Sequence, residues 1–242
     1  KAANRTHQFL DTQLATLIEE MNIKPKDIHL TSLPVVLMCN LAVGATSIIP
    51  SKYTKEKHWA FVKNNNPSTI LSASPAHFSH MSKRIDCNKL EQVFIGGATI
   101  LPHFAKEVAQ VIDSKKVTLV YGSTEAEPMT IVSLPDYLNS FSTDHNGVLV
   151  GKSHPNIQLK INKQGANTLK EVGKKGVGEI IVSGPHVLHK YFQDKEAFAK
   201  NKIVDNDITW HRTGDAGYLK EGSLYYIGRM KHTWKEGNEW HS

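Results

Sequence analysis

The chain has 242 residues, 40% of them hydrophobic and 21% charged, and its 29 Lys and Arg against 23 Asp and Glu give a formal charge of +6. That composition belongs to an ordinary globular protein with room for one large domain or two subdomains. The basic residues are scattered, with no Arg/Lys run interleaved with aromatics, so the charge gives no sign of a nucleic-acid partner.

In chain order, Leu10, Leu14, Leu17, Ile18 and Met21 recur at helical spacing, and Lys24-Pro25 closes an expected opening helix. Four short apolar runs follow, VVLM (35–38), TSIIP (46–50), TILSAS (69–74) and EQVFIGG (91–97), each bounded by Gly, Pro or polar residues. Read as buried strands separated by helices, they predict α/β order with a doubly wound sheet. Thr54 is placed to cap a helix carrying Trp59 and Val62, and Pro102 suits the first turn of another carrying Phe104, Val108 and Ile112. After Pro128 the pattern becomes strands without helices: VLVG, IQLKI, GEIIVSG, AGYL and SLYYIG. A β-rich subdomain, a distorted barrel, is expected from about residue 140. The densest basic cluster, Lys160, Lys163, Lys170, Lys174 and Lys175, lies in a Gly/Asn-rich stretch and reads as a solvated hairpin.

Cys39 and Cys87 form neither a CxxC pair nor a disulfide framework, which points to a reducing compartment and the cytoplasm. No apolar run has the length of an integral membrane segment, and KAANRTH is unlike a signal peptide. The HxxH pairs His77/His80 and His186/His189 lack a carboxylate or cysteine at a zinc-like interval and are read as surface or capping residues. The sequence carries no signature of oligomeric state.

The chemistry concentrates at VTLVYGSTEAEP (117–128), where an apolar run ends in small, hydroxylated and acidic residues. A parallel strand that ends this way delivers its last side chains to the carboxyl edge of the sheet, where ligands bind. Tyr121 offers a stacking face, Gly122 a close backbone approach, Ser123 and Thr124 hydroxyls, and Glu125 an oxygen ligand for a hard cation. Plain strand termination is the competing reading of these five residues.

Four more segments occur in a telling order: FIGGATI (94–100), GVGEIIVSGPHVLHKYF (176–192), WHRTGDAGYL (210–219) and YIGRMKH (226–232). With YGSTE they resemble the adenylate-forming acyl ligase superfamily of acyl-CoA synthetases, luciferases and adenylation domains, over nearly the whole chain. The resemblance implies ATP and Mg2+ as cofactors and a small-molecule carboxylic acid, a fatty acid by expectation, activated as an acyl-adenylate and passed to CoA. It implies that Gly97, Ala98 and Thr99 line one face of adenine while Tyr121 stacks on the other. Gly122 and Ser123 complete that turn, Thr124 meets the phosphate and Glu125 the magnesium. Asp215 accepts from both ribose hydroxyls, with Arg229 nearby and Ile227 packed at the nucleoside. Val36, Leu37, Met38 and Asn40 are expected at the acyl pocket, with Ala126 at its mouth.

Residues 1–139 are then expected to form the α/β subdomain, 140–228 the β-rich subdomain, and 229–242 a hinge with the start of a C-terminal domain. The family's phosphate loop is expected just upstream, with Lys1 at its terminal lysine and Ala2 in place of a usual glycine. The C-terminal adenylation lysine falls beyond EWHS, so the chain reads as a core fragment of a longer enzyme. His232 stands where the hinge residue is usually Asp. With WHRTGD and LPVVLMCNLAVGATSIIP it resembles the olefin-biosynthesis β-lactone synthetases, in which a β-hydroxy acid closes on itself without CoA. A non-catalytic nucleotide-binding module is the third reading.

Overall fold

We describe a computed structural model of the chain over residues 2–50, 55–65, 68–141, 147–173, 176–236 and 239–241. The elements run α1 (His7–Met21), β1 (Ile28–Thr31), α2 (Pro34–Val43), β2 (Thr46–Ile48), α3 (Glu56–Asn65), β3 (Ile70–Ala73), α4 (Pro75–Met81), β4 (Gln92–Gly96), α5 (Pro102–Val111) and β5 (Val117–Ser123). Then come β6 (Ala126–Ser133), α6 (Leu134–Asn139), β7 (Val148–Ser153), β8 (Gln158–Asn162), β9 (Gly178–Ser183), α7 (Lys195–Asn201) and β10 (Lys202–Asp205). The chain closes with β11 (Ile208–Lys220), β12 (Ser223–Arg229), β13 (Trp234–Glu236) and β14 (Glu239–His241).

Contacts divide the chain into two compact units. One comprises residues 13–120 and 133–138. Its strands are parallel in the order β2-β1-β3-β4-β5. β3 is buried throughout and β4 is buried at Val93, Phe94 and Ile95, because parallel strands covered on both faces must be apolar along their length. Leu17, Met21, Ile23, Val36, Cys39, Ile70 and Phe94 form one core cluster of this unit. The other unit comprises residues 1–12, 121–132 and 139–242. It is antiparallel in the order β6-β7-β12-β11-β9-β8, with β10 paired to the start of β11 on the edge opposite β9. Trp210, Tyr218, Ile180 and Ile181 are among its fully buried side chains. Sequence order put a division near residue 140, whereas in the structure residues 1–12 and most of β6 pack with the β-rich unit and α6 with the parallel one.

Two expectations are corrected. VVLM is not a strand but the first half of α2. Pro34 occupies its first turn, and Gly44 ends it in the left-handed region at φ 79°, donating to the carbonyls of Asn40 and Leu41. Periodicity cannot separate a short buried strand from a helix in such a run. The region after Pro128 does contain helices, α6 and α7, each too short to show a period. Both begin on side-chain caps: Ser133 Oγ accepts from Asp136 N–H at 3.1 Å, and Asp194 Oδ1 from Ala197 N–H at 2.8 Å. Asp194→Ala is expected to destabilise the β-rich unit by about 1 kcal/mol, read as a lower urea midpoint at unchanged slope. Thr54, expected to cap α3, lies outside the described residues, as do Lys174 and Lys175 of the basic cluster. Of that cluster, Lys160 pairs with Glu171 at 2.5 Å on the surface.

Candidate active site

In the β-rich unit β5 ends in Tyr121-Gly122-Ser123, and a two-residue turn, Thr124-Glu125, leads into β6. The strands run so close here that a Cβ on Gly122 would lie 3.0 Å from the Ala126 carbonyl oxygen, which is why glycine stands at that position. The turn is braced from several sides. Ser123 Oγ accepts from Glu125 N–H at 3.3 Å, Arg5 Nη2 donates to the Thr124 carbonyl at 2.8 Å, and Leu188 N–H donates to the Glu125 carbonyl at 2.7 Å. Tyr191 O–H donates to Glu125 Oε1 at 2.9 Å. The Thr124 side is exposed, Glu125 is half-buried, and Ala126 is fully buried against Met129, Ile157, Val182 and Val187.

Asp215 is brought to the same region by a bulge in β11. Arg212 pairs with Ile181 and Ala216 with Glu179, so Thr213, Gly214 and Asp215 bow out opposite Ile180 alone. Gly214 takes φ 72°. Thr213 Oγ1 donates to the Ile180 carbonyl at 2.8 Å and accepts from Asp215 N–H at 3.0 Å. Asp215 is 7% exposed, and its Oδ2 accepts the Tyr121 hydroxyl at 2.7 Å. Arg229, its cross-strand partner on β12, places Nη1 3.2 Å from Oδ1 in an ion pair. That buried oxygen accepts no hydrogen bond among the described residues.

Electrostatics follow the geometry. Burial pushes the Asp215 carboxyl above its usual range, the Tyr121 hydrogen bond and the Arg229 charge pull it back, and Glu179 pushes it up. Burial, then the neighbouring Asp215, raise the Tyr121 phenol well above its ordinary value. Burial also raises Glu127, against the opposing charge of Arg5.

The other expected site residues fall as follows. Ile227 is buried with Val177, Ala216 and Tyr218. His232 is exposed in the turn after β12. Lys1 lies outside the described residues. In the parallel unit, Gly97, Ala98 and Thr99 are exposed beyond the end of β4, Gly97 at φ 79°, and the Tyr137 hydroxyl holds the next carbonyl, that of Ile100, at 2.5 Å. Val36 belongs to that unit's core and Met38 is 41% exposed. Asn40 is fully buried with both ends of its amide engaged, Oδ1 facing His29 Nδ1 at 3.0 Å and Nδ2 donating to Ser47 Oγ at 2.9 Å.

Four contributors were missed in the sequence: Arg5, Glu179, Tyr191 and Arg212. Glu179, Tyr191 and Arg212 stand inside the recognised motifs, but what each touches depends on strand register, which no local pattern reveals.

A family model described as "AMP-binding enzyme" matches residues 5–192, and the chain belongs to that family. Among curated relatives, it is 26% identical over 255 residues to the acyl-CoA ligase sidI of Aspergillus fumigatus, covering 99% of this chain and 42% of that protein. It is 25% identical over 209 residues to the mitochondrial medium-chain acyl-CoA ligase ACSF2 of Macaca fascicularis, covering 84% of this chain and 32% of that protein. The chain thus spans less than half the length of these two relatives. Among solved structures, O-succinylbenzoate coenzyme A synthetase of Bacillus subtilis in complex with AMP superposes with a TM-score of 0.76 at 20% identity, over 98% of this chain and 48% of that one. The mixed α/β fold is therefore that of the adenylate-forming enzymes. Among the described residues no helix is long and apolar enough to cross a membrane.

Proposed function

We propose that this chain carries the nucleotide-handling part of an ATP-dependent ligase that activates a carboxylic acid, an apolar fatty acid by our reading, as its acyl-adenylate and passes it to the thiol of CoA. The observation that carries the reading is Asp215. Its Oδ1 is buried, lies 3.2 Å from Arg229 Nη1 in an ion pair, and accepts no hydrogen bond among the described residues, which is the arrangement a ribose hydroxyl completes. Tyr121, tied to the same carboxylate, offers its ring to a base. Relatives named as acyl-CoA ligases support the acid and the thiol, and B. subtilis O-succinylbenzoate coenzyme A synthetase, which has been solved with ATP and magnesium, supports the cofactors.

A carboxylate attacking the α-phosphate builds negative charge on phosphoryl oxygens, so the site must position and neutralise more than it must move protons. Thr124 presents its hydroxyl from the exposed side of the turn, and Glu125 is held there by Tyr191. One such carboxylate fits Mg2+, which takes one or two protein carboxylates and completes its shell with phosphates and water. When bound, the ion supplies charge neutralisation at the phosphates. Residues 229–242 serve in this proposal as the hinge toward a C-terminal domain. Closure to a β-lactone would rest on His232, WHRTGD and LPVVLMCNLAVGATSIIP; product analysis with a β-hydroxy acid, with and without CoA, separates the two outcomes.

Asp215→Ala is expected to weaken AMP binding by roughly 1.5–3 kcal/mol, the worth of hydrogen bonds to a charged group. Calorimetric titration of AMP into both proteins checks this, and equal affinities would remove Asp215 from a ribose site.

A further inference from the structure

We propose that Glu179 and Arg212 form a positioning pair that sets both the shape and the charge of Asp215; the role rests on the ribose reading above. Glu179, on β9, is 4% exposed. Its Oε2 accepts from Arg212 Nε at 2.9 Å and Nη2 at 2.7 Å, and its Oε1 accepts from Gly214 N–H at 3.3 Å. One carboxylate thus spans the bulge, gripping the residue that enters it and the glycine at its crest. A bulge of three residues against one leaves backbone groups without ladder partners, and a buried acceptor between them fixes their direction. The carboxylate of Asp215 follows from that direction, since its N–H is already committed to Thr213.

The same pair controls charge. Among the described residues the ionisable groups acting on Asp215 are Tyr121 from β5, Glu179 from β9 and Arg229 from β12; behind them, Arg212 from β11 pairs with Glu179, and Tyr226 from β12 lies against the Tyr121 ring. Arg229 has a side chain 62% exposed, so water screens it. Arg212, 19% exposed, is the cation that keeps Glu179 from acting on Asp215 as a bare like charge. Removing either partner should therefore move the ionisation of Asp215 in opposite directions, which simple loosening of the fold would not do.

The test is a carbon-13 NMR titration of the Asp215 carboxyl in the chain and in Glu179→Gln, Arg212→Met and the double variant, with adenosine affinity measured alongside. Adenosine is the probe because it has no phosphate to titrate in the same window. Glu179→Gln keeps an oxygen for the Gly214 N–H while removing the charge and the acceptor that face Arg212; it should lower the Asp215 midpoint. Arg212→Met should raise it, in the manner of paired carboxylates, and carry upward with it the pH below which adenosine binding weakens. The double variant should return the midpoint toward that of the unmodified chain. Midpoints that stay put, or move together, would overturn the pair's role while leaving the ribose site standing. Asp215→Asn is the reference arm: if it binds adenosine as well as the unmodified chain does, the ribose reading falls and the pair's role falls with it.

Discussion

Glu125→Gln is expected to lower acid-dependent exchange of pyrophosphate into ATP by roughly 10²–10³-fold, the loss typical when one preorganised electrostatic group is removed from a reacting centre. Glutamine keeps the size of the side chain and an oxygen for the Tyr191 hydroxyl, now 2.9 Å from Glu125 Oε1, and the backbone bonds to Leu188 and Ser123 are untouched. What it removes is the negative charge that would share a cation with the phosphates. The turn should therefore fold normally, and the defect should appear in exchange measured across a magnesium series, with an unchanged thermal midpoint. Exchange equal to that of the unmodified protein would take Glu125 out of the reaction.

The second large effect concerns stability. His29 alone is expected to cost about 3 kcal/mol of folding free energy between pH 6.5 and pH 4. The ring is fully buried between Asn40 and Ser72, with Nδ1 3.0 Å from Asn40 Oδ1 and Nε2 2.7 Å from Ser72 Oγ. Because Asn40 Nδ2 donates to Ser47, its Oδ1 faces the ring, so Nδ1 carries the proton and Nε2 accepts from the Ser72 hydroxyl. Burial lowers the imidazole to about 4, against the partial support of Asn40 and Asp27. In the window between about 4 and 6.5 the unfolded chain binds a proton that the folded one refuses, so stability falls as the pH falls and levels off below 4. His186, also lowered by burial, acts in the same sense, while Asp215 and Glu127, raised by burial, act in the opposite one. The comparison of urea unfolding in the native chain and His29→Gln isolates the single residue. Parallel pH profiles for the two would contradict the assignment.

Much of this architecture could be read from the chain because its signals are local. Buried parallel strands are apolar throughout, so TILSAS and EQVFIGG announced β3 and β4, and the small polar residues at the end of VTLVY marked where β5 leaves the sheet. Pro102 fixed the start of α5 for the same kind of local reason. VVLM failed because α2 carries apolar side chains on more than its core face: Leu41 is 83% exposed while Val36 and Cys39 are buried. Asn40 was placed at the acyl pocket by resemblance alone; its partners, His29 and Ser47, come from β1 and β2 and are set by tertiary packing, which no local pattern shows. Tyr121, Thr124, Glu125, Asp215 and Arg229 were legible as residue types at characteristic positions. Their support was not. Glu179 and Arg212 meet through the pairing of β9 with β11 across 33 positions of sequence, and Tyr191 reaches Glu125 across 66.

If the proposed site serves chemistry at the α-phosphate of ATP on behalf of a carboxylic acid, the products show it. The protein carrying this chain is supplied with ATP, Mg2+ and a panel of acids of differing chain length, and the nucleotide and phosphate products are followed by phosphorus NMR. The expected products are AMP and pyrophosphate, formed only when an acceptable acid is present. Cleavage to ADP and phosphate, or turnover indifferent to the acid, would contradict the proposal.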